Sequence, residues 1–266
     1  AWPKKENNPD VPLQPDEIAE EIYQCWKIGA AVAHIHVRDK EGNDSMEVET
    51  FKEVIDLLHN NHPDCDVILN LTSVGGIANS EEARMAPFIQ LKPEMASFDC
   101  GTMNWMYFGI FNNNPPFLEK MGKAMLEAGV KPEIEVFNPA MIHDAAYYLK
   151  KGFLKAPLHF QFCMGCANGS PATVEDLVFM KSTLERVCPG STWSAFGVGK
   201  GAMEIMYAAI AAGGHIRVGM EDNVIYRKGV LAQSNMQLIA RARRVIEEFG
   251  CEAATPNEAR ELLGLR

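Results

Sequence analysis

Continuous apolar segments alternate with helical patterns along the whole chain, and this alternation restricts the fold more than any other feature. The apolar, strand-like segments lie near residues 30–38, 66–73, 95–100, 131–137, 158–163, 192–198 and 214–220. Amphipathic patterns separate them, beginning with Pro15–Tyr23, where proline and acidic residues are typical of a helix N-terminus. Apolar strands that alternate with helices indicate a parallel sheet covered on both faces. Since no linker or repeat interrupts the pattern, we expect a single domain over residues 1–266.

The predicted strands are one short of a closed (β/α)8 barrel, which has eight strands in about 250 residues. Ala1–Leu13 contains prolines among polar residues and is typical of a loop that leads into the first helix. We therefore predict an α/β fold, a (β/α)8 TIM barrel whose first strand, of about 5–6 residues, is missing from the sequence. The alternative is an open sheet, which would leave an exposed parallel edge.

Two histidines, His34 and His36, end the first apolar segment. Side chains alternate between the two faces of a strand, so both histidines point to one side and Ile35 and Val37 point to the other. Such a histidine pair can hold zinc, which needs a third protein ligand and an open position for catalysis. The pattern is also consistent with partly buried histidines whose hydrogen bonds are satisfied.

The last apolar segment, Gly214–Asn223, ends in charged residues. Alternation along a strand places Arg217, Gly219 and Glu221 on one face, with Asp222 at the rim. Charged groups at the end of an apolar strand are costly to bury without a partner or a metal. We predict Glu221 as the third zinc ligand beside the histidine pair, at the C-terminal ends of the strands. The alternative is an ion pair between Glu221 and Arg217.

Other predicted strands also end in polar residues. Asn70–Ser73 leads into Gly75 and Gly76, and glycines there allow backbone N–H groups to approach an anion. Glu133 and Glu135 alternate along the fourth segment, and Glu135, nearer its C-terminal end, is the better active-site candidate. We interpret Glu133 as a salt-bridge residue at the bottom of the barrel.

Composition narrows the class of protein and of partner. The chain has 266 residues, 47% of them hydrophobic and 23% charged, which is enough for one large core. Its net charge of −10 argues against nucleic acid as a partner, because phosphates attract basic surfaces. No apolar segment approaches the ~20 residues that span a bilayer, so no membrane partner is expected. The seven cysteines lack a disulfide spacing, which favours a reducing, cytoplasmic location.

Several motifs in a fixed order resemble one known family. They are His34–Asp39, Thr72–Gly76, Gly101–Trp105, Glu135–Phe137 and Val218–Asn223. Together they resemble the β-keto acid cleavage enzymes, whose type activity is the cleavage of 3-keto-5-aminohexanoate in lysine fermentation. The resemblance runs from about residue 1 to the last helix. Family members begin with a strand that leads into Thr-Gly-Ala, and this chain starts at that alanine.

The resemblance implies a zinc-dependent (β/α)8 enzyme that takes a β-keto acid and acetyl-CoA to acetoacetate and a new CoA thioester. His34, His36 and Glu221 match the metal ligands of the family. Arg217 and Asp222 match an Arg–Asp pair, in which Asp222 acts as the base and Arg217 orients it. Zinc would act as a Lewis acid that stabilises enolate charge.

The substrate contacts also follow from the resemblance. Ser73 matches a substrate-contacting serine, and three further substrate contacts are expected within the matching motifs: Gly75, Gly76 and Thr102. Glu135 matches an acidic residue at the amine end of the substrate. The family has another glutamate where this chain has Trp2, whose ring can hold an ammonium by a cation–π contact. We therefore expect a β-keto acid with a cationic end.

The remaining expectations concern CoA, assembly and rival functions. Gly197–Gly201 lacks Walker spacing, but Gly199, Lys200 and the next helix N-terminus are candidates for binding the CoA phosphates. A homo-oligomer, a tetramer by family resemblance, is expected. A zinc-dependent aldolase or isomerase would use the same ligands without CoA. A non-catalytic metal-binding protein would not need the Arg217–Asp222 pair.

Overall fold

The structure is a computed structural model that describes residues 3–106 and 109–265. Its helices are α1 (Pro15–Lys27), α2 (Val48–Asn61), α3 (Glu81–Leu91), α4 (Pro115–Ala128), α5 (Pro139–Lys151), α6 (Val174–Val187), α7 (Ala202–Ala211), α8 (Asn235–Glu248) and α9 (Pro256–Leu263). Its strands are β1 (Val32–Ile35), β2 (Val37–Arg38), β3 (Asp44–Ser45), β4 (Ile68–Leu71), β5 (Met95–Asp99), β6 (Met103–Asn104), β7 (Ile110–Phe111), β8 (Lys131–Val136), β9 (His159–Met164), β10 (Thr192–Gly197), β11 (His215–Ile216), β12 (Ile225–Arg227) and β13 (Val230–Leu231). None of the described helices is long and apolar enough to cross a membrane.

Helix boundaries follow local sequence signals. Asn114 and Asn138 cap α4 and α5 with their side chains, and each is followed by a proline at the first helical position. Gly129 and Gly152 end the same helices at φ angles of 72° and 81°, a left-handed conformation that favours glycine. These signals fix where the helices stop and the next buried strands begin.

The main sheet contains seven parallel strands in the order β1-β4-β5-β8-β9-β10-β11. Within this sheet, each strand pairs with the sheet strand that precedes it along the chain, and a helix lies in the connection between the two. All seven strand-like segments of the sequence are therefore present in a parallel α/β fold. Three short antiparallel hairpins, β2-β3, β6-β7 and β12-β13, are separate from this sheet.

The two faces of the sheet differ in chemistry. Ile134 on β8 and Phe160 on β9 are fully buried among the helices, in the same core cluster as Leu177 of α6. The alternate residues Glu133 and Gln161 are also buried but belong to the other, concave face. The helices thus cover an apolar face, while the inner face carries polar groups.

The predicted eight-stranded closure is not present in the described residues. β1 and β11 are the two edges of the seven-stranded sheet. A cavity of about 550 Å³ lies between them, lined by backbone and side chains of both edges, including Val32, Ala33, Ile216 and Val218. What the structure shows is therefore an α/β fold with a curled parallel sheet.

The last strand is shorter than the sequence predicted. The segment 214–220 was expected to be extended, but β11 covers only His215–Ile216. The chain then turns, because the backbone N–H groups of Asp222 and Asn223 both donate to the carbonyl of Gly219. The predicted alternation of Arg217, Gly219 and Glu221 on one strand face is therefore wrong.

Candidate active site

Polar side chains at the C-terminal ends of several sheet strands lie close together. His34 on β1, Glu135 on β8 and Arg217 just after β11 lie close together. Glu135 Oε1 is 3.9 Å from His34 Nδ1 and 3.5 Å from Arg217 Nη1. Residues far apart in sequence are thus brought together at the C-terminal ends of parallel strands, where barrel enzymes place their catalytic groups.

The three predicted metal ligands lie together. The rings of His34 and His36 have centroids 5.1 Å apart, and His36 Nε2 is 2.9 Å from Glu221 Oε1. Candidate ligand atoms of all three residues lie within 4.8 Å of one another. Because His36 follows β1 and Glu221 follows β11, this cluster joins the two edges of the sheet.

Arg217 connects the metal-ligand candidates to the predicted base. Its Nε and Nη2 donate to the two carboxylate oxygens of Asp222, at 3.0 and 2.9 Å, and Nη2 also donates to Glu221 Oε2 at 2.6 Å. Its guanidinium lies 4.4 Å from the ring centroid of Phe196. Glu221 therefore faces His36 with one oxygen and Arg217 with the other.

Burial and neighbouring charges together determine the charge state of these groups. It raises the pKa of Asp222 to about 6, against the opposing effect of Arg217. Burial also acts to raise the pKa of Glu221, but His36 and Arg217 outweigh it and hold that pKa well below its ordinary value. Burial lowers the pKa of His36 to about 3. A neutral imidazole beside an ionised carboxylate is the protonation state in which metal ligands bind.

Glu133 does form an ion-pair contact, but its partner is His34 of the metal-ligand candidates and not a residue at the bottom of the barrel as expected. Glu133 Oε2 lies 3.0 Å from His34 Nδ1 and accepts a 2.7 Å hydrogen bond from Asn70 Nδ2. Burial acts to raise the pKa of Glu133, but the hydrogen bond with His34 and nearby positive charges lower it to about 2. The strand alternation was read correctly, but the curl of the sheet, which brings β8 opposite β1, was not visible in sequence.

Ser73 and Glu135 belong to a buried polar group that includes Ser97 and Asp99. Ser73 Oγ lies 3.3 Å from Ser97 Oγ and 3.4 Å from Asp99 Oδ2. Asp99 and Glu135 are register partners on β5 and β8. Burial, followed by the charge of Asp99, raises the pKa of Glu135 well above its ordinary value. Sequence reasoning missed Ser97 and Asp99, although alternation along 95–100 would have placed both on the inner face.

Arg84 is a second buried residue that sequence reasoning missed. Its Nε donates to the carbonyl of Ser73 at 2.9 Å, and its Nη2 donates to Asn113 Oδ1 at 2.7 Å. Arg84 lies inside α3, where nothing in the local pattern distinguishes it from a surface arginine. It ties the loop after β4 to the segment before α4.

The predicted substrate-contacting glycines and threonine lie on the surrounding loops. A Cβ on Gly75 would lie 2.5 Å from Met46 Cγ, and Gly76 has a φ of 113°, so packing and backbone conformation both require glycine there. Thr102 is exposed, and its Oγ1 accepts a hydrogen bond from the backbone of Asn113 at 2.9 Å. Trp2 lies outside the described residues.

The predicted CoA-binding loop follows β10. Gly199–Gly201 forms one turn of 3₁₀ helix before α7, and Lys200 is exposed on it. The Gly199 N–H donates to the carbonyl of Asp222 at 3.0 Å. That N–H therefore connects this loop to the Arg217–Asp222 turn, and the exposed Lys200 lies beside it, just before α7.

The donor set fits a zinc ion. His34, His36 and Glu221 supply two imidazoles and a carboxylate, a combination found in catalytic zinc sites. His34 Nδ1 faces Glu133, which directs the other ring nitrogen, Nε2, away from it. A second group, His34 with Glu133 and Glu135, also has ligand atoms within 4.8 Å. The first group is the better match, because its carboxylate is beside the candidate base.

Comparisons with curated proteins give a consistent result. The chain is 42% identical over 98% of its length to a "3-keto-5-aminohexanoate cleavage enzyme" of Fusobacterium nucleatum, and the match covers 93% of that protein. It is 36% identical to a "3-dehydrocarnitine:acetyl-CoA trimethylamine transferase" of Rhizobium meliloti, covering 96% of this chain and 90% of that protein. It is 34% identical to a "3-oxoadipate:acetyl-CoA acetyltransferase" of Cupriavidus necator, covering 99% and 91%.

Solved structures agree in fold. The apo structure of ObcA superposes with a TM-score of 0.84 at 20% identity, over 96% of this chain and 66% of ObcA. Its complex with oxaloacetate gives 0.85 at 19% identity, over 96% and 67%. This chain thus spans about two thirds of ObcA's length. The sequence profile of the beta-keto acid cleavage enzymes matches residues 1–265. The chain belongs to the β-keto acid cleavage enzyme family.

Proposed function

We propose that this protein exchanges acyl groups between a β-keto acid and acetyl-CoA, giving acetoacetate and a new acyl-CoA. The observation that carries the proposal is the bidentate Arg217–Asp222 pair beside His34, His36 and Glu221. The two acetyl-CoA-dependent relatives at 34–36% identity support CoA as the second substrate. Their named substrates differ, so the keto acid itself is set by local contacts.

His34, His36 and Glu221 would hold zinc in this proposal. When bound there, the ion would supply Lewis acidity that stabilises negative charge on the keto and carboxylate oxygens of the substrate. Arg217 holds Glu221 from the opposite side through Nη2. Arg217 and His36 together therefore fix the orientation of the Glu221 carboxylate.

Asp222 removes a proton from the carbon between the two carbonyl groups. Its pKa, raised to about 6 by burial, suits a base that must be ionised and reactive near neutral pH. The carbanion attacks the acetyl carbon of acetyl-CoA, the C–S bond breaks, and the thiolate adds to the original keto carbon. Cleavage of the carbon–carbon bond then releases the new thioester and an acetoacetate carbanion, which takes the proton back from Asp222.

The substrate's far end would be cationic, as in 3-keto-5-aminohexanoate. Asp99 and Glu135 are adjacent carboxyl groups on the inner face, and Ser73 contacts the first of them. Burial raises the pKa of both carboxyl groups, and a cationic group of the substrate placed beside them would favour their ionised forms. The Fusobacterium relative, named for an amino-keto acid, supports this choice, and Glu135 would make the contact.

The sheet would close into the (β/α)8 barrel through an eighth strand between β1 and β11. The cavity between those edges, about 550 Å³, and the contact of His36 with Glu221 across it support closure. Addition of a strand-forming segment at the amino end should raise the temperature of unfolding, whereas a scrambled segment with proline should not. Equal effects of the two segments would contradict closure.

The protein would also form a homo-oligomer. Tyr147 of α5 and Val178 and Phe179 of α6 are exposed apolar residues on helices that pack together. Phe179→Glu should lower the molecular mass measured by light scattering. An unchanged mass would place the interface elsewhere, and a monomeric parent protein would reject the assembly itself.

A product analysis tests the function. The protein is loaded with zinc and incubated with 3-keto-5-aminohexanoate and acetyl-CoA, and both acetoacetate and the new thioester are quantified by mass spectrometry. The two products should appear in equal amounts and only when acetyl-CoA is present. Cleavage or isomerisation without acetyl-CoA would instead identify the aldolase or isomerase alternative.

A further inference from the structure

Glu133 and Asn70 form an inner support behind His34. Glu133 is on β8, Asn70 is on β4, and His34 is on β1 as the register partner of Asn70. Glu133 Oε2 contacts both, at 3.0 Å from His34 Nδ1 and 2.7 Å from Asn70 Nδ2. β8 is three strands away from β1 in the sheet, so the two strands come close only because the sheet curls. The contacts of Glu133 with His34 and Asn70 therefore lie on the concave face.

An ionised carboxylate accepts hydrogen bonds and donates none. A hydrogen bond between Glu133 and His34 Nδ1 therefore requires the hydrogen on Nδ1, and in the neutral imidazole that binds metal Nε2 then carries the lone pair. Asn70 donates to the same oxygen of Glu133, so the carboxylate is held by groups from two different strands. Asn70 Nδ2 also lies 3.2 Å from His34 Nδ1, but the shorter 3.0 Å contact is with the carboxylate of Glu133, which can only accept. The contact with Glu133 therefore favours the tautomer with the hydrogen on Nδ1 and orients the ring.

We propose that Glu133 is a positioning residue that fixes the tautomer and orientation of His34 for metal binding, with Asn70 holding Glu133 in place. This inference rests on the proposed metal site of His34, His36 and Glu221. Carboxylates that hold a ligating histidine in this way affect metal affinity by about 10- to 100-fold. Glu133 contacts neither substrate nor metal in this role.

Metal affinity without substrate provides the test. Metal-free protein is titrated with zinc against a chromophoric chelator, and Co²⁺ is bound in parallel so that its visible absorption reports the ligand set. Glu133→Leu should weaken zinc binding about 10- to 100-fold. Glu133→Gln keeps an acceptor oxygen but no charge, so it should weaken binding less than Glu133→Leu. The Co²⁺ spectrum of Glu133→Gln should keep the intensity of the parent protein.

Glu135→Gln is the matched control. Glu135 is on the same strand and face and is also buried, but its Oε1 is 3.9 Å from His34 Nδ1. Its zinc affinity should change less than that of Glu133→Gln. Equal losses in the two variants would indicate a general charge effect and overturn the positioning role, as would parent-like affinity in both Glu133 variants.

The alternative metal group is distinguished by the same measurement. If Glu133 were itself a ligand, with His34 and Glu135, then Glu133→Gln would change the Co²⁺ spectrum, and Glu221→Gln would leave it unaltered. That pattern would overturn both this inference and the proposed metal site. Loss of zinc in His36→Ala together with parent-like affinity in both Glu133 variants would overturn the positioning role alone.

Discussion

The wall formed by β8, β9 and β10 differs from the edge formed by β11 in regularity and in chemistry. Each wall strand has six residues, and β9 pairs with β10 along its whole length. β11 has two residues and pairs with β10 at two positions. The wall supplies supporting side chains such as Glu133, whereas the turn after β11 supplies Glu221 and Asp222.

This difference explains why the predicted metal ligand Glu221 and the predicted base Asp222 are on an irregular segment. On a strand, consecutive side chains point to opposite faces, so Glu221 and Asp222 would be separated. The turn closed by the carbonyl of Gly219 lets both carboxylates contact Arg217. A regular strand cannot place a metal ligand and a base from adjacent positions on one guanidinium.

The largest effect is expected at the contact between the two edges. His36→Ala removes an imidazole that lies 2.9 Å from Glu221, so zinc retention and turnover should be lost together. Elemental analysis and the acetoacetate assay measure the two losses. The control is His143→Ala, on the exposed face of α5. Stoichiometric zinc in His36→Ala would mean that the edge does not hold the metal.

The next effect separates the base from the metal ligands. Asp222→Asn removes the proposed proton acceptor but keeps a side chain that can contact Arg217. Turnover should fall about 10²- to 10⁴-fold, with zinc stoichiometry unchanged. Single-turnover kinetics with zinc-loaded protein measures this loss. Near-parent rates would move the base to another residue of the site.

A wall substitution should instead change stability. Phe160 is fully buried on the outer face of β9, so Phe160→Ala should lower the free energy of unfolding by about 3–5 kcal/mol. Denaturant unfolding measures this change, and Phe249→Ala, at a site 46% exposed, serves as the control. The folded variant should bind zinc as the parent protein does. A loss of affinity comparable to that of His36→Ala would erase the distinction between wall and edge.

A selective effect is expected at Glu135, the wall residue that we propose to bind the substrate. Glu135→Gln removes a buried carboxyl group near Asp99 that a cationic substrate would ionise, and a charge-assisted contact contributes about 1.5–3 kcal/mol. Specificity constants for a cationic β-keto acid should fall about 10- to 100-fold. Those for a neutral acid of similar size should change little. Equal losses would show that Glu135, 3.5 Å from Arg217 Nη1, supports Arg217 rather than binding substrate.

The smallest effect is expected on the loop after β10. Lys200→Ala removes one exposed positive charge, and exposed ion pairs contribute about 0.2–1 kcal/mol. The KM for acetyl-CoA should rise by up to about fivefold at low salt, with little change in the KM for the keto acid. Lys123→Ala, at a highly exposed site on α4, is the control. An unchanged KM for acetyl-CoA would remove Lys200 from the CoA site.

The sequence predicted the parallel α/β arrangement because each strand carries its own apolar signal. The positions of all seven sheet strands follow from local runs such as 131–137, where the observed strand is Lys131–Val136. The length of β11 did not follow, since the turn after it depends on a hydrogen bond to Gly219 rather than on apolar pattern. Eight-stranded closure is a property of the two edges together and has no local signal.

The candidate site could be predicted where its residues are close together in the sequence. His34 and His36 are two residues apart, and strand alternation alone places them together. The support of His34 by Glu133 and Asn70 was not predictable, because it joins three strands through the curl of the sheet. Arg84 was missed for the same reason, since its partners are Ser73 and a segment almost thirty residues further along.

The contact between His36 and Glu221 would link the stability of the fold to the concentration of free metal ion around the protein. A cation held by these two residues and His34 is bonded to both edges of the sheet, so the edges cannot separate without releasing it. Binding to the folded state alone contributes about 2.7 kcal/mol when the free ion is at 100 times its dissociation constant. The fraction of chains that are folded would then rise and fall with the supply of the metal, even when no substrate is present.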